Sequence, residues 1–244
     1  TLGREAYNFV DLLGDLKQKY WQVLPVGPTI FGDSPYQPSS GCAGNIYFID
    51  LDKLVDEGLL EKEEILGYNW GTDESEIDYA ALHQNRCKIL QKAFERFDTN
   101  AQEFQDFVKK QSEWLEQYAL FMTLKTDNLY KNWSEWPSEY RNPQTVALEK
   151  YQKKNYNTIT FWKFCQYKFF EQWEDLKNYA NSKGVYIIGD ISFYVGYDSV
   201  DVWAERQLFM MSANDTPEYV AAAGPDKYSE SGQVWGNPMY DWMP

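Results

Sequence analysis

The sequence predicts an α/β protein organised on a parallel sheet that a long helical insertion interrupts. Three observations carry this. Two continuous apolar runs, Trp21–Val26 and Tyr186–Ile191, read as core strands buried on both faces. Each follows directly on an amphipathic helix, and a helix packed before an apolar strand is half of a βαβ unit. Roughly 160 residues of mostly helical sequence separate the runs, far more than one βα connection requires.

The elements follow in order. Leu2, Ala6, Phe9, Val10, Leu13 and Leu16 recur at helical spacing and predict a helix over Thr1–Lys19 that leads straight into the strand at Trp21. A helix feeding a buried strand implies another strand upstream of it. Residues 51–66, LDKLVDEGLLEKEEIL, read as short helices punctuated by Gly58, and Gly67–Asp78 as an acidic loop. Tyr79–Phe97 is helical, with Leu82, Ile89, Ala93 and Phe97 on one stripe. Phe104–Leu124 reads as one further helix, with Phe107, Trp114, Leu115, Tyr118 and Phe121 inward. Pro137 breaks the periodicity in WSEWPSEYR, Trp133–Arg141, which is either a packing corner or a platform for a sugar ring. Phe161, Cys165, Phe169, Trp173, Leu176 and Ala180 keep i, i+4 spacing along a long helix that stops at Asn181–Gly184. Gly184 suits a left-handed C-terminal cap. After Ile191 the chain reads as loop-rich, with one short helix.

Composition narrows the partners. The net charge of −14 over 244 residues argues against nucleic acid and against an anionic membrane surface. No apolar run approaches the length of a bilayer span. Three widely spaced cysteines, Cys42, Cys87 and Cys165, support neither a disulfide framework nor a structural zinc site. They fit reduced thiols in a cytoplasmic protein. His83 and Cys87 share a helix face, but no further ligand accompanies them and the stripe continues through Leu90 and Phe94; a partly buried helix side chain is the better reading. Aromatic residues make up 18% of the chain, with ten Trp and nineteen Tyr. Their rings either pack or offer faces on which sugar rings stack.

In parallel α/β folds ligands collect beyond the carboxyl ends of the strands. The loop from Thr29 to Asn45 is therefore the first candidate site. Ser34, Tyr36, Gln37 and Asn45 supply hydroxyls and amides, and Tyr36 and Tyr47 supply flat faces, a mixture suited to a neutral polyhydroxylated ligand. The alternative is an ordinary loop that contains tyrosine. Asp190 is the best-placed carboxylate, since it ends the second apolar run after Gly189. It either binds substrate at the sheet mouth or caps nearby amides. Asp198 and Asp201, in the loop that follows, are weaker candidates.

Several stretches resemble the amylomaltases, or 4-α-glucanotransferases, of glycoside hydrolase family 77. WQVLPVGPT, GDSPYQ, AGN and IDLDKLVDEGLL carry the likeness first. GVYIIGDISFYVGYDSVDVW then resembles the family's GIxIIGDIPIYVAxDSADVW, and GQVWGNPMYDW its GQLWGNPLYDW. The resemblance implies part of a (β/α)8 TIM barrel with a large, mostly helical insertion between two barrel strands. It divides the chain into residues 1–50 with the substrate-side loop, an inserted helical subdomain over 51–158, and residues 159–244 with a loop covering the active-site groove. Packing is then the role implied for the WxxWP segment. Ser34, Tyr36, Gln233, Trp235 and Asn237 are implied to bind a maltooligosaccharide, joining Asp190 from the strand-end reading, with no cofactor and no metal. The activity implied is transfer of α-1,4-glucan segments with retention of configuration. The family's catalytic carboxylates sit in motifs like RxDHFRG, AEDLG and THD, and none occurs here. The expectation is an amino-terminal half with no catalytic residue of its own, the alternatives being a maltooligosaccharide-binding module without turnover or a structural protein whose aromatic residues only pack.

Overall fold

The computed structural model describes residues 1–242 except Phe31, Glu74 and Gln144. Parts of the predicted loops at 29–45 and 67–78, and the last two residues, thus lie outside the described residues. Ten α-helices are described: α1 (Arg4–Asp15), α2 (Leu51–Asp56), α3 (Lys62–Leu66), α4 (Tyr79–Arg96), α5 (Gln102–Lys110), α6 (Ser112–Asp127), α7 (Ser138–Arg141), α8 (Val146–Lys154), α9 (Tyr156–Ser182) and α10 (Val200–Ala204). Four strands accompany them: β1 (Tyr20–Gln22), β2 (Tyr186–Ile188), β3 (Val220–Ala223) and β4 (Gln233–Pro238). The chain divides into two compact units. The first holds residues 1–24, 44–112 and 160–190, and the second 25–43, 113–159 and 191–244.

In the first unit β1 and β2 pair in parallel, Tyr20 opposite Tyr186 and Gln22 opposite Ile188. The parallel α/β expectation holds, but the strands are three residues long and half open. Tyr20, Tyr186 and Ile188 are exposed, and only Trp21 and Ile187 turn inward. Each strand has only the other as a ladder partner among the described residues, so each has one edge without a ladder partner there. Phe9 of α1 meets Trp21 edge-on at 5.2 Å.

The core of this unit lies where α9 packs on α4 and α5. Of its predicted stripe, Phe161, Cys165, Phe169, Leu176 and Ala180 are buried and Trp173 is half-buried. Phe164 meets Phe97 at 4.8 Å and Phe94 at 5.5 Å, and Tyr167 meets Phe104 at 5.6 Å. Two glutamines within this apolar face bind backbone in both directions. Gln166 accepts from Gly44 N at 2.7 Å and donates to Gly44 O at 3.0 Å. Gln172 does the same to Asp50, at 2.7 and 3.1 Å. Buried amides satisfied on both atoms fix the 44–50 segment against the helix. Arg86 of α4 adds bonds to the carbonyls of Ile49 and Tyr47, and burial pulls its guanidinium down to about 10. Gly184 closes α9 with φ 76°, and Val185 N donates back to Ala180 O at 2.9 Å.

The predicted helix over Phe104–Leu124 is two helices, α5 and α6, parted at Gln111. Apolar spacing runs through the break, which is why periodicity reads it as continuous. In the second unit α6 buries Leu115, Tyr118, Phe121 and Leu124. Trp133, Trp136 and Trp203 are buried with them, so the WSEWPSEYR segment packs. The region after Ile191, read as loop, contains the antiparallel pair β3–β4 with an irregularity between Val220 and Ala222. No described helix is long and apolar enough to cross a membrane.

Candidate functional site

The second unit assembles a loop and a hairpin whose aromatic side chains remain open. The loop over residues 25–43 is tied at its base. Thr29 and Pro38 bridge across it, and Ser39 N donates to Pro28 O at 2.9 Å. Gly196 N and Val200 N donate to the carbonyls of Pro38 and Ser39, at 3.1 and 2.9 Å. A Cβ at Gly196 would come 2.7 Å from Ile30 Cδ1 and 3.4 Å from Pro38 O, so the Ile30 side chain packs directly over this glycine. At the tip Gly32 and Asp33 take φ values of 93° and 51°. Ser34 Oγ accepts from Tyr36 N at 3.3 Å, and Tyr36 is left 47% exposed.

The hairpin turns through Asp226, whose carboxylate accepts from Tyr228 N and Ser229 N, each at 2.8 Å. Gly232 has φ 73°, and a Cβ there would lie 2.5 Å from Ala223 O, so the turn requires glycine. Trp235 stands on β4, 41% exposed. Its indole N–H donates to Gln233 Oε1 at 3.1 Å, and its carbonyl accepts from Gln37 Nε2 at 2.6 Å. That last bond ties hairpin to loop. The arrangement offers two aromatic faces, a hydroxyl and carboxamides, and no cationic side chain takes part in these bonds.

A family model described as 4-alpha-glucanotransferase, glycoside hydrolase family 77, matches residues 1–244. The chain belongs to the 4-alpha-glucanotransferase family. It is 43% identical over 244 residues to the 4-alpha-glucanotransferase of Clostridium butyricum, covering 99% of this chain and 50% of that one. Against the enzyme of Streptococcus pneumoniae serotype 4 it is 44% identical over 247 residues, with coverages of 99% and 48%. The chain thus spans about half the length of these relatives. A solved amylomaltase from Streptococcus agalactiae, in complex with acarbose, superposes with a TM-score of 0.93 at 40% identity, covering 99% of this chain and 50% of that one. An amylomaltase from Corynebacterium glutamicum, at TM-score 0.66 and 18% identity over 98% of this chain and 34% of that one, shares the fold.

In this family member the six singled-out residues fall in different settings. Ser34, Tyr36, Gln233 and Trp235 belong to the open loop and hairpin of the second unit. Asn237 belongs to that unit but is buried, and its Nδ2 donates to Val195 O at 2.9 Å, which makes it a brace for the backbone next to Gly196. Asp190 is exposed, two residues past β2, and belongs to the first unit. Asn45 is buried and caps a 3-10 turn by accepting from Tyr47 N at 2.9 Å.

The two weaker carboxylates serve the scaffold. Asp198 accepts from Lys125 Nζ at 2.5 Å and from Trp133 N at 3.1 Å. Lys125 is itself buried and also donates to the carbonyls of Tyr130 and Lys131. Asp201 accepts from Gly41 N at 3.0 Å at the base of the loop, and burial raises its carboxyl above the ordinary range. Gln37 is the residue whose role the sequence underplays. Its amide is visible as a possible donor, but its partner is a backbone carbonyl 198 residues away, on a strand that local patterning does not reveal.

Proposed function

We propose that this chain is the glucan-gripping part of a 4-alpha-glucanotransferase. On this reading β1 and β2 are strands of a (β/α)8 barrel, residues 51–158 form its helical insertion, and residues 1–50 and 159–244 carry the substrate-side and groove-covering loops. Ser34, Tyr36, Asp190, Gln233, Trp235 and Asn237 line or brace the glucan groove. The intact enzyme cleaves an α-1,4 bond by attack of a carboxylate on the anomeric carbon while a carboxylic acid protonates the departing 4-oxygen. The same acid group, now a base, takes the proton of an incoming 4-hydroxyl as it displaces the carboxylate. Two displacements retain configuration and require the carboxyls about 5 Å apart. Both carboxyls come from outside these residues, and carboxylates alone carry the proton and covalent work.

The observation that carries the reading is Trp235: its carbonyl and indole N–H are both held by glutamines, yet the residue is 41% exposed. A large apolar face kept open on a braced strand is what a sugar ring stacks against. Maltoheptaose titrated into the protein should change tryptophan fluorescence, and Trp235→Ala should weaken binding about tenfold, about 1.4 kcal/mol. Unchanged affinity removes Trp235 from the site. With maltotriose the 244-residue chain should yield no ladder of longer maltodextrins; a ladder would mean the reactive acids are already present.

A further inference from the structure

A second cavity in the same unit shares no residue with the loop and hairpin. It has a volume of about 490 Å³ and is bounded by the carboxyl end of α6, by α7 and by α8. This lies within the roughly 300–1,000 Å³ of small-molecule sites. Asp127, Glu139, Tyr140, Lys150, Tyr151 and Lys154 contribute to its lining. The Tyr140 and Tyr151 rings stand 5.2 Å apart at 53°, giving two inclined apolar faces. The Tyr151 hydroxyl donates to Asp127 Oδ2 at 2.5 Å, which holds that ring in place. Burial, then the Asp127 carboxylate, raises the Tyr151 phenol, so the bond keeps its proton.

The charges decide the ligand class. The lining holds two carboxylates, Asp127 and Glu139, and two ammonium groups, Lys150 and Lys154, so an ionic ligand of either sign gains little net attraction from it. Acceptors and donors packed beside two ring faces instead match a neutral molecule with hydroxyls on every edge and C–H groups on its flat sides. We propose that this cavity is a second α-glucan site, taking a glucosyl unit of a chain against Tyr140 and Tyr151. The identity of the sugar rests on the glucanotransferase reading; the polyhydroxylated class rests on the lining.

The test counts bound ligand. Equilibrium dialysis of labelled maltotriose against the 244-residue protein should give two moles bound per mole. Trp235→Ala should leave the helix site and Tyr140→Ala the groove, each with one mole bound at the concentration that saturates the wild type. Tyr140→Ala keeps the backbone carbonyl that Trp203 bonds, and removes the ring together with its hydroxyl bond to Glu139. Lys154→Met, at an exposed position, removes a donor without touching the core and should weaken the helix site about tenfold. A single mole bound, abolished by Trp235→Ala and indifferent to Tyr140→Ala and Lys154→Met, overturns this inference and leaves the groove reading intact. Binding lost only in Tyr140→Ala overturns the groove reading instead. No maltotriose bound by the wild type overturns both.

Discussion

Glutamine is used in opposite ways in the two units. In the first, Gln166 and Gln172 are almost wholly buried, and each closes a two-way bond with one residue's backbone. In the second, Gln37 and Gln233 lie at the surface and hold Trp235 with its ring in the open. Tryptophan divides within the second unit in the same manner. Trp133, Trp136 and Trp203 are 0–2% exposed, while Trp235 is 41% exposed. Residue type therefore does not separate scaffold from site. The separation lies in whether the element has a packed partner on the face that carries the residue.

The largest expected effect tests the first unit. A Cβ at Gly44 would overlap the Phe169 ring at 1.9 Å, beneath the Gln166 bonds. Gly44→Ala should cost about 3 kcal/mol in urea unfolding, because neither ring nor backbone can yield. A loss within experimental error would show that α9 is not fixed to this segment as described. The equivalent cut in the second unit is Lys125→Met, which leaves the Asp198 carboxylate without its cation. It should also cost about 3 kcal/mol, with the double variant Lys125→Met/Asp198→Asn recovering part of the loss. Failure of the second change to recover stability would place the role of Lys125 in its carbonyl bonds alone.

The smallest effect sharpens the contrast between buried and open ion pairs. Arg96 binds Glu64 at 2.7 and 3.1 Å, the side-chain bond to Arg96 being the main cause that brings the Glu64 carboxyl down to about 2. A carboxyl lowered in the folded state stabilises above its ordinary value of 4.5 and loses that contribution as pH falls toward 2. Glu64→Gln should therefore cost about 0.5 kcal/mol at neutral pH, the scale of a solvated pair, and nothing near pH 2. A cost that is the same at both pH values would assign the effect to the capping bond with Glu61 N rather than to charge.

Local pattern made much of the scaffold legible. The α9 stripe and the Gly184 cap follow from i, i+4 spacing and from a glycine placed directly after it. Gln166 and Gln172 fall on the same broad face, and a neutral polar residue inside an apolar stripe is the signal that could have marked them. Three features were not readable locally. The break at Gln111 carries no proline or glycine, the exposure of β1 and β2 depends on what covers them, and β4 pairs with a strand whose alanine run lacks β-forming residues. Of the site, the residue types were visible and the family motif located them. The bond from Gln37 to Trp235 was not, because its ends are joined only through the tertiary fold.

The pairing of Tyr20 with Tyr186 has a temporal consequence. On a ribosome adding about 5–20 residues per second, β1 is made on the order of ten seconds before β2. For that interval the β1 edge that pairs with β2 has no mate, and the intervening helices are complete before this ladder can close. Such long-range closure is slow. Closure of this ladder therefore waits on delivery of β2, and the Tyr20 edge stays open until then.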